Sequence, residues 1–175
     1  MSNLLPSVDE TLTEPESHAE TLQSLVKASL AEDWRTQYGA NDEFLRQLSD
    51  IINAHLLAME SEAETLAAQQ LQAPEALDPL PHEKLCTAGL KLARNLCSGG
   101  NRAAQECWWK KGLVASVSNR VRSDIAVLTH PRSKPWCDTV PSFFANSFAM
   151  QSDLREEAFR VLFPEALAAT CMLCW

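Results

Sequence analysis

The chain has 175 residues, six of them Cys and five Gly, with hydrophobic residues at 46% and a formal net charge of −8. Ala, Leu, Glu and Gln outnumber β-branched residues and Tyr occurs once, which favours helices and excludes a sheet-rich fold. Residues 1–80 carry 15 acidic and 3 basic side chains (−12), whereas 81–175 carry 8 and 12 (+4), so the two halves differ in sign.

The N-terminus, Met1 to Pro6, runs soon into acids and has neither a basic stretch nor an apolar core, so it does not read as a secretion signal. Residues 1–17, polar and interrupted by Pro6 and Pro15, read as a disordered tail. Residues 18–72 read as acidic helices. The first runs from about His18 to Leu30 on the spacing of Leu22, Leu25, Val26 and Leu30. A break at Tyr38-Gly39-Ala40-Asn41 follows, with Asn41 or Asp42 capping the next helix. That helix aligns Phe44, Leu48, Ile51, Ile52, Leu56 and Met59 on one stripe, and continues or restarts toward Leu71. The segment 73–81, with Pro74, Pro79 and Pro81, reads as a linker.

From His82 to the end the sequence reads as helical repeats. Leu85, Gly89, Leu92 and Leu96 share one face, and Ser98-Gly99-Gly100 supplies a left-handed stop. Asn101 caps a short helix from Arg102 to Lys111, Gly112 ends it, and Leu113, Val114 and Val117 open another. A Pro-rich insertion from His130 to Trp136 comes next. Pro141 then suits the first turn of a helix carrying Phe143, Phe144 and Phe148. Asp153-Leu154-Arg155-Glu156 has capping-box spacing, and Pro164 starts a final apolar helix through Met172 and Leu173. Asn95 and Asn146 occupy matching places in the two units, 51 residues apart. Armadillo and HEAT periods are about 40–47 residues, and the insertion accounts for the excess.

Leu90 to Cys97 (LKLARNLC), followed by Asn101-Arg102-Ala103-Ala104-Gln105, resembles the armadillo pattern of a third helix, a turn and the next repeat's first helix. Within that superfamily the stretch resembles the ataxin-10 family, as does Phe163-Pro164-Glu165-Ala166-Leu167. The resemblance covers about 85–175. It implies an all-α, armadillo-like α-solenoid segment behind an acidic helical N-terminal region. It also implies a cytoplasmic, non-enzymatic scaffold acting in cytokinesis and cell division. An exchange-factor-like regulator of a small GTPase is the alternative. Peptide-binding armadillo proteins place Trp one turn before the ladder Asn; Lys91 and Ser142 stand there instead. A groove for basic nuclear-localisation peptides is therefore not expected.

The candidate partner-binding residues are Arg94, Asn95, Trp108, Trp109 and Asn146. The Asn amides, each donor and acceptor, would either line a groove against a partner's backbone or join neighbouring repeats. Of the adjacent Trp108 and Trp109, one faces inward and the other is a candidate hot spot. No phosphate loop, Gly-x-Ser-x-Gly or His-Glu-x-x-His pattern occurs, so no catalytic residue is assigned. Cys171-x-x-Cys174 lacks a second ligand pair and reads as buried thiols, and His18, His55, His82 and His130 lie in different segments. No cofactor, metal or nucleic-acid partner is expected, and no apolar run approaches the roughly 20 residues that span a bilayer. The apolar end, Cys171 to Trp175, suggests a shortened solenoid that self-associates through its last helix.

Overall fold

A computed structural model describes residues 4–69, 80–126, 134–151, 153, 154 and 156. It is all-helical, without strands among the described residues. The helices are α1 (Val8–Thr13), α2 (Pro15–Ala28), α3 (Glu32–Gly39), α4 (Asp42–Gln69), α5 (Pro81–Leu96), α6 (Arg102–Lys110), α7 (Leu113–Ala126) and α8 (Lys134–Ser147). None of them is long and apolar enough to cross a membrane.

Local chemistry sets most boundaries. Asn41 Oδ1 accepts from the Phe44 amide and starts α4, and Asn101 Oδ1 accepts from the Ala104 amide and starts α6. Gly99, Gly100 and Gly112 adopt positive φ, as the stops after α5 and α6 require.

The central helix is α5, with α2, α4 and α8 packed around it. Its small residue Gly89 lets α4 approach closely at Ile52. Leu85, Leu92 and Leu96 are fully buried beside Leu22, Leu48, Ile51, Ile52 and Phe143. One core runs from Leu5 to Phe144. The expected division near 73–81 therefore does not separate two cores. Residues 70–79 lie outside the described residues, and Pro81 is already the first residue of α5.

Four expectations need correction. The stretch 4–17 is not a disordered tail. Ser7 and Glu10 form a reciprocal capping box, Leu5 and Thr11 are buried, and the Gln47 amide of α4 donates to the carbonyls of Leu5 and Pro6. The first long helix begins at Pro15 rather than His18, because proline at a first-turn position gives up no needed amide. An extra helix, α3, lies before the break. Its Trp34 ring meets Phe44 edge-on and its Tyr38 ring meets it at a tilt, and Arg35 donates to the carbonyls of Ser29 and Leu30. Finally, Pro141 does not open α8 but sits inside it. The helix begins at Lys134, which draws Trp136 and Val140 fully into the core. Burial on that scale offsets the roughly 3 kcal/mol cost of an internal proline. The final helix, Phe163-Pro164, Cys171, Cys174 and the self-association surface lie outside the described residues.

Candidate protein-interaction site

Cys86 and Gly89 turn one side of α5 toward α4, where the Cys86 thiol donates to the Ile52 carbonyl. Asn95 reaches the end of α2, its amide nitrogen donating to Ser29 Oγ at 2.8 Å, and Lys84 pairs with Glu16 of α2 at 3.3 Å. Arg94, about 100° around the helix from Asn95, reaches Ser142 Oγ of α8 at 3.5 Å. Helices therefore cover α5 on three sides. Between Glu83 and Cys97 every residue is buried except Lys84, Lys91 and Arg94. Their spacings of 7 and 3 place them on one stripe. The least buried side of the central helix is thus cationic, although Lys84 and Arg94 also touch α2 and α8.

Lys84 is partly neutralised by Glu16, but Lys91 and Arg94 meet no carboxylate among the described residues. The Arg94 guanidinium donates instead to Asn95 Oδ1, through Nε at 3.1 Å and Nη2 at 2.9 Å. Those bonds hold the guanidinium against the helix. Thr87 shares the stripe, is 4% exposed, and its hydroxyl has no hydrogen-bond partner. Ser142 and Asn146 border it from α8, with the Asn146 amide donating to the Ser142 carbonyl.

The residues picked from sequence thus separate. Arg94 reaches α8 at Ser142, one turn from Asn146, whereas Asn95 is 7% exposed and its amide is engaged with Ser29 and Arg94. Trp108 is core: it is fully buried, and its indole N–H donates to Cys97 Sγ at 3.0 Å. Trp109 is half-buried against the core, its indole nitrogen enclosed without a partner. Lys84, Thr87 and Lys91 were not singled out from sequence. Their signal was a polar stripe at helical spacing through a helix otherwise apolar on all sides.

Gln105 of α6 is fully buried and donates to the carbonyls of Asn146 at 2.7 Å and Ala149 at 2.9 Å, capping the end of α8. Arg102 adds a bond to Asp153 at 2.8 Å. Helix α6 is thereby laced to the end of α8 and the residues after it.

A concavity of about 390 Å³ lies between the start of α4 and α6, lined by Asp42, Glu43, Arg46, Glu106, Cys107 and Lys110 among others. Its charges are largely satisfied within each helix. Arg46 holds the Glu43 carboxyl below its ordinary range, and Lys110, then Arg102, do the same for Glu106. Burial raises the Cys107 thiol, and it pushes Cys97 up to about 12 against the opposing pull of the Trp108 N–H. Neither thiol is an activated nucleophile at neutral pH. Among the described residues no three His, Cys, Asp or Glu side chains are grouped to hold a metal ion. No family model, curated protein or solved structure matches this chain.

Proposed function

We propose that this chain is a non-enzymatic interaction module that binds an acidic, extended segment of a partner protein along the open stripe of α5. The single observation that carries this reading is that Lys84, Lys91 and Arg94 are the only residues of α5 between Glu83 and Cys97 that are not buried. Lys84 and Lys91 are two turns apart, about 10.5 Å along the helix. A segment in the extended polyproline II conformation advances about 3.1 Å per residue with three residues per turn, so carboxylates three residues apart share a face at roughly 9 Å, close to that spacing. Asn146 and Ser142 add polar groups beside the stripe. Nucleic acid is the poorer fit, because one short stripe of cations in a chain of net charge −8 offers few phosphate contacts.

The wider role follows from the resemblance of Leu90 to Gln105 to the ataxin-10 family. The stripe would be the partner-facing side of an armadillo-like stack, in a cytoplasmic scaffold serving cytokinesis. Exposed ion pairs contribute about 0–1 kcal/mol each, so binding is expected to be weak and salt-sensitive.

The test is titration of the ¹⁵N-labelled chain with a Glu-rich peptide, a Lys-rich control of equal length and a single-stranded oligonucleotide. The acidic peptide should shift the amides around Lys91 and Arg94, and Lys91→Glu with Arg94→Glu should weaken its binding at least tenfold. Equal binding of both peptides, shifts confined to other helices, or preference for the oligonucleotide would sink the reading.

A further inference from the structure

The sequence scatters its histidines, but the fold brings two of them together. His55 of α4 and His82 of α5 place their Nδ1 atoms 2.7 Å apart, with ring centroids at 4.8 Å. His55 is fully buried, and its Nε2 is enclosed without a hydrogen-bond partner. His82 is half-buried in the first turn of α5. Two facing Nδ1 atoms at that distance need one hydrogen between them: one ring donates and the other accepts.

We propose that the His55–His82 pair is a proton-sensitive latch between α4 and α5, closed while a single hydrogen lies between the two Nδ1 atoms and released as the pair gains protons. The chemistry is stepwise. With both rings neutral, His55 can carry its hydrogen on Nδ1 and leave a bare Nε2 in the enclosed position. If His82 becomes an imidazolium, its Nδ1 must donate, so His55 must accept on Nδ1 and carry its hydrogen on Nε2. That N–H has no acceptor, and an unmade buried bond is costly. A second proton puts two donors face to face at hydrogen-bond distance, and the contact cannot survive.

Around His55 the charged groups among the described residues are few. On α4 itself no Asp, Glu, Lys or Arg lies between Asp50 and Glu60. From α2, half-buried His18 lies near enough to act on His55 through its charge, and Glu16 is already engaged with Lys84. On α5, Glu83 follows His82 in the first turn and is 3% exposed. Positive charge there also faces the N-terminal end of the helix dipole. Burial first, then His82 and His18, lower the His55 pKa from 6.5 to about 4.

The sign follows directly. A base whose folded pKa is depressed contributes its full share of stability above the unfolded value of about 6.5, and that share is lost as pH falls toward about 4. Between pH 8 and pH 5 the equilibrium constant for the closed contact should fall about 30-fold.

The test is amide hydrogen exchange of the whole chain from pH 8 to pH 5, corrected for intrinsic rates, beside a His55→Leu/His82→Gln variant. Protection across 51–59 and 81–86 should fall at least tenfold in the unaltered chain and less than threefold in the variant. The same fall in both would overturn the latch. If the variant does not fold, ¹⁵N imidazole titration of the unaltered chain decides. Coupled titration with His55 well below 6.5 supports the proposal, and two independent titrations near about 6.5 overturn it.

Discussion

Replacing Gly89 by Ala sets two effects of known size against each other. On an isolated helix the change is favourable by about 1 kcal/mol, because glycine is the costlier residue in a helix interior. In this fold a methyl group at position 89 would lie 2.7 Å from Ile52 Cγ1 and 3.1 Å from Ile52 Cδ1, with Leu22 Cδ1 at 3.8 Å. Ile52 and Leu22 are both fully buried, so the displaced side chain has no open space to enter. Forcing an extra methyl group into a packed core typically costs about 1–3 kcal/mol. The net expectation is a loss of about 0–2 kcal/mol, seen in urea titration as a lower midpoint with an unchanged slope. A cycle with Ile52→Ala isolates the cause. Alone, that truncation should cost about 2–5 kcal/mol, and in the Gly89→Ala background at least about 1 kcal/mol less, since the new methyl partly fills the gap. If Gly89→Ala stabilises by about 1 kcal/mol and the cycle is additive within about 0.5 kcal/mol, then α4 and α5 do not meet at this point.

Gly39→Ala should destabilise through a distant cap. The new Cβ would collide with the amide of Asn101, whose Oδ1 caps α6, and losing that cap costs about 1 kcal/mol; faster exchange of the Ala104 amide is the readout, and unchanged protection would contradict it. Leu92→Ala and Leu96→Ala each empty a fully buried site and should cost about 2–5 kcal/mol, so near-unchanged urea midpoints for both would contradict the face assignment of α5.

The candidate site was only half legible in the sequence. Arg94, Asn95 and Asn146 were picked through their place in a repeated pattern, and the structure bonds Arg94 to Asn95 and, more loosely, to Ser142, one turn before Asn146. The pattern did not say what their side chains bind. Asn95 spends its amide on Ser29, 66 positions away, and Arg94 turns back onto Asn95. Lys91 was noted only as a departure from a Trp position. Its meaning came from the packing that buries its neighbours and leaves it half-buried. The pair of Trp residues shows the same limit. Adjacency fixed that they diverge, but only packing made Trp108 core and left Trp109 at the margin.

By itself the sequence determined the all-helical class and the helix ends that carry a local cap or stop. Asn41, Asn101, Ser98-Gly99-Gly100 and Gly112 act within one turn of themselves, so their effects need no tertiary partner. It also fixed the apolar faces of α4 and α5, because a 3.6-residue period is visible in the chain. Only the tertiary structure decided that 4–17 folds, since Gln47 of α4 supplies the bonds that hold Leu5 and Pro6. Only it decided that Pro141 lies inside a helix, where the burial of Trp136 outweighs a lost amide. And only it decided that α5 shows three cations to the outside and pairs His82 with His55. Which side of a helix stays open is set by the helices packed around it, and those come from remote parts of the chain.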